Sequence, residues 1–117
     1  MPKREWKLFI EDILDAIFLI QKYVKDMDFE KFKNDRKTID AVVRNLEIVG
    51  EAVRFLPDNI KQKYPEIDWK GMIGFRNRIA HAYFNISIEI VWHIVEKELP
   101  ELKEKMKPIL EKKNKLQ

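Results

Sequence analysis

The sequence predicts an all-α protein, an up-and-down bundle of about four main helices plus short helices. Apolar residues recur every three or four positions along most of the chain, which is the spacing of amphipathic helices. Only three glycines are present, and no run of alternating β-branched residues indicates a sheet. A chain of 117 residues is the size of one domain. We therefore expect a single helical domain over residues 1–117, with a frayed tail at 112–117.

Composition narrows the classes of function. Hydrophobic residues make up 45% of the chain and charged residues 37%, as in soluble globular proteins. The absence of cysteine excludes a disulfide framework, a thiolate zinc site and a cysteine nucleophile. The two histidines are far apart in sequence, so we expect no metal site and no cofactor. The net charge of +3 permits an anionic partner without requiring one.

The N-terminal segment is not expected to be a signal peptide. Its apolar residues are interrupted by Glu11, Asp12 and Asp15, which are incompatible with a hydrophobic signal core. No apolar run approaches the length that crosses a bilayer. We therefore expect a cytoplasmic protein without a membrane partner.

The first helix is predicted from Trp6 to about Val24. Its broad apolar stripe is formed by Trp6, Ile10, Ile13, Leu14, Ile17, Phe18 and Val24. Leu8, Leu19 and Tyr23 lie on roughly the opposite side. Either this second strip contacts a partner, or its members are the scattered apolar residues that most surfaces carry.

The second long helix is predicted from about Arg36 to Leu56, after a short helix over Phe29–Lys33 that Asp28 can cap. Its main stripe has the a/d spacing of interlocking helices: Ile39, Val42, Leu46, Val49, Val53 and Leu56. A second stripe lies about 100° round the axis and holds Ala41, Ile48, Ala52 and Phe55. Asn45 falls between the two stripes, and we expect it to be a buried structural amide with a hydrogen-bond partner rather than a catalytic group.

Short segments then lead to the middle of the chain. A short helix is predicted from Pro57-Asp58 to Lys63 or Tyr64, and Pro65 breaks it. Asp68 is a plausible N-cap for the next segment, which begins at Trp69. Gly71 and Gly74 are too close together for a phosphate-binding loop, and they are expected to allow close packing of helices.

The last long helix is expected to be capped by Asn85 or Ser87. Its core stripe comprises Ile88, Val91, Val95, Leu99, Leu102, Met106 and Ile109. Pro100 interrupts this pattern, so we expect a kink or a restart of the helix after Leu99. His93 points away from the stripe and should be exposed.

The residue types best suited to catalysis are concentrated in residues 71–86. Arg76, His81 and Tyr83 fall within eight positions there, on a short apolar frame. A histidine, with an ordinary pKa of about 6.5, can exchange protons with a ribose hydroxyl or a leaving oxygen at neutral pH. A guanidinium can bind two phosphate oxygens and stabilise the charge of a phosphorane. Arg76 and His81 are therefore candidates for metal-free cleavage of RNA.

Helical spacing complicates this pair. On an ideal helix, residues 76 and 81 diverge by about 140°, whereas Asn77 and Arg78 lie nearer to His81. The helix could end or distort near residues 79–81, the long arginine could wrap round it, or a second chain could complete the site. Two identical chains would also supply two histidines, one as acid and one as base. This argument predicts a homodimer with its cleft at the interface.

The pattern Arg76-x4-His81-x-Tyr83 resembles the signature of the HepT-like ribonuclease toxins of the HEPN superfamily. Three flanking runs resemble that family too: Arg44–Pro57 (RNLEIVGEAVRFLP), Trp69–Phe75 (WKGMIGF) and Val91–Pro100 (VWHIVEKELP). The likeness extends from about Trp6 to Leu110.

The resemblance implies an α-helical homodimer, the toxin of a type VII toxin–antitoxin system, that cleaves RNA without a metal. Arg76 and His81 would be the catalytic pair. Asn77, which would orient the histidine or the phosphate, and Arg78 would be auxiliary groups. Arg78 is the rival for the arginine role: the family spacing favours Arg76, and an ideal helix favours Arg78. Tyr83 matches the tyrosine to which a partner nucleotidyltransferase antitoxin of the MNT type transfers AMP.

Other functions remain open at this point. The chain could be a non-catalytic helical partner or substrate-binding module of a nucleotidyltransferase, in which case it would bind that partner without turning over RNA. It could also be a nucleic-acid-binding homodimer without chemistry, in view of its lysine-rich C-terminal helix. In either case His81, between Ala80 and Ala82, would be a helix-packing residue.

Overall fold

The structure, a computed structural model, describes residues 5–75, 77–79 and 87–115. For residues 112–115 it describes the backbone alone. Every regular element in these ranges is helical, and no strand occurs in them. The helices are α1 (Trp6–Tyr23), α2 (Phe29–Lys33), α3 (Arg36–Arg54), α4 (Asp58–Lys63), α5 (Trp69–Ile73), α6 (Ile88–His93), a π-helical segment (Ile94–Glu98) and α7 (Leu99–Lys115). The all-α prediction is thereby confirmed for the described part of the chain.

Side-chain caps fix where four of these helices begin. The carboxylates of Asp28, Asp35 and Asp68 accept hydrogen bonds from the backbone N–H groups three residues on, at 2.9, 3.1 and 3.0 Å. The hydroxyl of Ser87 accepts from the N–H of Ile90 at 3.2 Å. Each cap satisfies a backbone donor that the first turn of a helix leaves without a partner. The predicted caps at Asp28, Asp68 and Ser87 are confirmed, whereas Asn85 lies outside the described residues.

Helix α3 supplies the centre of the core. All six residues of its predicted main stripe are buried. Asn45 is buried as well, and its side-chain amide donates to the carbonyl oxygen of Ala41 at 2.9 Å. The prediction of a structural amide is confirmed in burial and bonding. In the second stripe Ala52 is buried, but Phe55, just past the end of the helix, is 60% exposed.

Helix α1 packs mainly against α3. The rings of Phe9, near the start of α1, and Phe55, just after α3, stack with their centroids 5.7 Å apart, so the two helices run antiparallel. Ile10, Ile13 and Ile17 are fully buried between the helices.

The prediction that Phe18 belongs to the core stripe is wrong, because its side chain is 59% exposed. It is rotated by about 100° from Ile17, beyond the flank of α1 that its neighbours cover. On the second strip, Leu8 and Tyr23 are exposed and Leu19 is half-buried.

The irregularity expected near Pro100 takes the form of the π-helical segment. The α-helix resumes at Leu99, so Pro100 is the second residue of α7, directly after the π-helical segment. Proline has no backbone N–H to donate, and the π-helical segment changes the hydrogen-bonding register of the helix just before it. In the core stripe predicted for the last long helix, every residue from Val91 to Ile109 is buried, and Ile88 is half-buried. Pro108, inside α7, does not end the helix.

The prediction for the glycine pair is wrong. A Cβ atom on Gly71 would meet the carboxylate of Asp68, and one on Gly74 would meet the carbonyl oxygens of Lys70 and Gly71, so both neighbourhoods are local rather than between helices. The glycine that lies between helices is Gly50 of α3, packed against the backbone of α5.

Among the helices of the described ranges, none has both the length and the apolarity needed to span a bilayer.

Candidate functional site

Two of the five predicted site residues are in the part of the chain that the structure describes. Asn77 and Arg78 lie there, with helical backbone, whereas Arg76, His81 and Tyr83 lie outside it. The geometry of the site is therefore built from the segments that lead into and out of the motif.

The segment before the motif is fixed by one tryptophan. The indole N–H of Trp69, the first residue of α5, lies 3.0 Å from the carbonyl oxygen of Lys61 and 3.1 Å from that of Tyr64. These bonds satisfy carbonyl oxygens at the end of α4, and the indole ring is buried in the core. The turn between α4 and α5 is thereby held against the body of the protein, and with it the direction in which the chain enters the motif.

Residues 75 to 79 combine buried and exposed positions within little more than one turn. Phe75 and Ile79 are buried, Arg78 is half-buried, and Asn77 is exposed. The backbone N–H of Arg78 donates to the carbonyl oxygen of Gly74 at 3.0 Å. Asn77 thus lies on the solvent side of this turn, whereas Arg78 lies at the edge of the core.

Arg78 forms a two-point ion pair with Glu98, at the end of the π-helical segment. Nη1 lies 3.2 Å from Oε1 and Nη2 lies 3.0 Å from Oε2. The side chains are 36% and 31% exposed, so solvent screens the pair only in part. Parallel bonds of this kind fix orientation as well as distance, and we place the contribution at the upper end of the range for surface pairs, about 1 kcal/mol.

His93 lies at the same carboxylate. Its Nε2 is 3.6 Å from Glu98 Oε2, and its side chain is 59% exposed, which confirms the predicted exposure. The two residues are five positions apart, the spacing of the π-helical hydrogen bond, and so share one side of the turn. The contact is an ion pair only when the imidazole is protonated.

A cleft of about 410 Å³ lies between α5, with Phe75 and Arg78 after it, and the start of α7. Met72, Phe75 and Leu102 provide its apolar surface, and the charged groups around it are Asp68, Arg78, Glu98, Glu101 and Lys105. Among the described residues that line the cleft, three carboxylates therefore face two cations. Arg78 is bound to Glu98, and Lys105 contacts Glu101 at 2.8 Å and the carbonyl oxygen of Glu66 at 3.1 Å. The described side chains of this lining therefore carry no excess of positive charge that would attract a phosphate.

No group of three or more histidine, aspartate or glutamate side chains in the described ranges is arranged to hold a metal ion.

Glu98 is the residue near the motif that the sequence analysis missed. It lies 20 positions from Arg78 and on a different helical element, so no helical spacing relates the two. In the sequence, the run Val91–Pro100 indicates this part of the chain but does not distinguish Glu98 from the residues around it.

Comparisons with known proteins agree on one family. The family model described as Ribonuclease HepT-like matches residues 13–109. A protein of Methanocaldococcus jannaschii, provisionally named as an RNase, is 44% identical over 100 residues, which cover 86% of this chain and 83% of that protein. A protein of Thermococcus cleftensis named probable ribonuclease HepT is 40% identical over 107 residues, covering 92% and 97%. A third, from Caldanaerobacter subterraneus and again provisionally named as an RNase, is 41% identical over 105 residues, covering 89% and 93%.

No solved structure matches the chain.

Proposed function

This chain belongs to the HepT-like ribonuclease family, and we propose that it is a cytoplasmic toxin of a type VII toxin–antitoxin system that cleaves RNA without a metal ion. The observation that carries the proposal is the family match over residues 13–109, which includes the whole of the Arg76-x4-His81-x-Tyr83 pattern. The all-helical architecture of the described residues is consistent with it.

The proposed reaction is an internal transesterification. A ribose 2′-oxygen attacks the adjacent phosphorus while a base removes its proton, and the 5′-oxygen leaves with a proton supplied by an acid. His81 provides this proton exchange, and Arg76 stabilises the extra negative charge on the phosphorane. The products are a 2′,3′-cyclic phosphate and a free 5′-hydroxyl.

A homodimer completes the site in this proposal. One chain has two histidines, and one of them, His93, lies outside the Arg76-x4-His81-x-Tyr83 pattern, with its Nε2 3.6 Å from the carboxylate of Glu98. Two copies of the motif, related by a two-fold axis, supply two His81 side chains to one cleft, one as base and one as acid. The same axis brings both Arg76 side chains to the phosphate.

The contacts of Arg78 favour Arg76 as the arginine that binds phosphate. Both terminal nitrogens of Arg78 are engaged by Glu98, so its charge is already compensated within the chain. Asn77 keeps its proposed auxiliary role, because its side chain is exposed and so is open to an RNA phosphate. The auxiliary role of Arg78 in this proposal is to position its helical turn through the contact with Glu98.

Control by an antitoxin is the second part of the proposal. A nucleotidyltransferase partner transfers AMP from ATP to the hydroxyl of Tyr83, with pyrophosphate as the leaving group. The added phosphate places negative charge and bulk beside the cleft and so repels the RNA backbone. A neighbouring gene for a small nucleotidyltransferase with a G-S-x-x-x-D-x-D motif would be the expected source.

The test is cleavage of a defined RNA by the purified chain in excess EDTA. We expect cleavage that persists in EDTA, that is lost in Arg76→Ala and His81→Ala, and that is retained in the matched control His93→Ala, with unchanged helical circular dichroism in all three variants. Cleavage that requires added divalent metal would overturn the proposed mechanism. Absence of cleavage together with tight binding to the nucleotidyltransferase would instead support the non-catalytic partner role.

A further inference from the structure

The pair formed by Arg78 and Glu98 joins the helical turn at residues 77–79 to the π-helical segment. Two parallel N–H···O bonds, at 3.2 and 3.0 Å, connect residues that are 20 positions apart. A bidentate contact restricts both the distance and the relative rotation of the two groups. A single bond to a flexible lysine would not restrict rotation in this way.

At the Arg78 end, the described residues also contribute apolar contacts and a backbone bond to the anchoring of the turn. Phe75 and Ile79 are buried on either side of Arg78, and the Arg78 N–H bonds to Gly74. On an ideal helix, position 76 lies about 160° from position 78. The pair can therefore fix the rotation of this turn about its axis without occupying the side on which residue 76 would lie.

At the other end of the pair, Glu98 belongs to a segment whose neighbouring residues are well packed. Ile94, Val95 and Leu99, which surround it in sequence, are all buried. Glu98 is the last residue of the π-helical segment, and such segments are frequent at functional sites because they redirect side chains. The α-helix resumes one residue later, so the carboxylate lies at the point where the helical register changes.

From this geometry we infer that Glu98 is a positioning residue for the ribonuclease site. It acts through Arg78, setting the rotation of the helical turn at residues 77–79, which lies between Arg76 and His81 in sequence. Glu98 does not touch the RNA. This inference rests on the proposed function, since it concerns how that site is oriented.

The experiment compares wild type with Glu98→Gln, which keeps the size of the side chain but removes its charge. We expect kcat for RNA cleavage to fall by about 10- to 100-fold while KM is unchanged, because a small misplacement of catalytic groups is costly whereas the binding surface is intact. Hydrogen exchange of the Arg78 amide should become several-fold faster, since its helical turn is less restrained. The charge-reversed double variant R78E/E98R should restore both values towards wild type.

The matched control is Glu101→Gln. Glu101 also pairs with a cation beside the cleft, Lys105, whose side chain is 36% exposed like that of Arg78, but both partners belong to α7. We expect no change in kcat or in exchange at Arg78. If the double variant fails to fold, Glu98→Asp replaces it: this variant keeps the charge one methylene further away and should give intermediate values of kcat and exchange.

An unchanged kcat in Glu98→Gln would overturn the inference, and so would a raised KM with an unchanged kcat, which would indicate direct contact with RNA. Faster exchange in Glu98→Gln, with no RNA cleavage even by wild type, would refute the proposed function. The pair would then be a structural clamp, and the positioning role would be lost with the site it serves.

Discussion

Gly50 of α3 lies against the backbone of Met72 in α5, so closely that a Cβ atom on Gly50 would be 3.1 Å from the Met72 carbonyl oxygen. The neighbour is backbone, and it can give way only if α5 moves. Helix α3 therefore sets the position of the segment that leads into the Arg76–Tyr83 motif. The absence of a side chain at residue 50 is what permits this spacing.

Replacing Gly50 by valine should destabilise the protein by about 1–3 kcal/mol, because the branched side chain overpacks the contact between α3 and α5. Gly50→Ala is the matched control. Its gain in helix propensity, about 0.5–1 kcal/mol, should offset much of the cost of one methyl group. Urea unfolding followed by circular dichroism measures both. A valine variant as stable as wild type would show that α5 is free to move away.

Asp35 should make folding stability depend on pH. Hydrogen bonds from the backbone N–H of Thr38 and then from its hydroxyl, at 3.1 and 2.8 Å, lower the pKa of this carboxyl below its ordinary value of 3.8, and they outweigh the opposing effect of desolvation. Because the folded-state pKa is depressed, the stabilisation is present above pH 3.8 and is lost as pH falls through the folded-state value.

Asp35→Asn tests this directly, because asparagine also caps helices but does not titrate. The difference in free energy of unfolding between wild type and this variant should be greatest near neutral pH and should shrink as the pH falls below 3.8. Urea titrations at a series of pH values provide the measurement. Parallel stability curves for the two proteins would exclude a lowered pKa at Asp35.

Co-expression with the nucleotidyltransferase should place AMP on Tyr83. Mass spectrometry of peptides from the co-expressed chain is expected to locate the modification there, and Tyr83→Phe should cleave RNA even after exposure to the enzyme and ATP. Tyr64→Phe, which alters a half-buried tyrosine near α5, is the control and should still be modified and inhibited. Modification at another residue would refute the assignment of Tyr83.

Much of the local structure was predictable because it depends on neighbours in sequence. A capping carboxylate needs only a backbone N–H three residues on, and Asp28 and Asp68 could be recognised from this spacing. The stripe of α3 is buried as predicted because a period of three and four residues defines one face of a straight helix.

The predictions that failed, and the contact that was missed, depend on how distant parts of the chain pack together. Phe18 satisfies the helical spacing, but burial at the edge of a stripe depends on how far the neighbouring helices extend. They leave the Phe18 side chain 59% exposed. The contact between Arg78 and Glu98 joins two elements whose relative position no local pattern encodes. For the proposed site, the sequence pattern predicts that Arg76 and His81 are the catalytic pair, whereas a pairing across a two-fold axis would depend on a surface shared with a second copy.

The most direct test of the central claim, that two copies of His81 act together on one phosphodiester, is to mix wild-type chains with His81→Ala chains. The two proteins are unfolded in urea, combined in chosen proportions and refolded, and RNA cleavage is measured in EDTA. If each cleft needs both histidines, mixed dimers are inactive, and an equal mixture should retain about a quarter of the wild-type activity. Activity of about half, falling in proportion to the wild-type fraction, would show that each chain acts alone and would contradict the account.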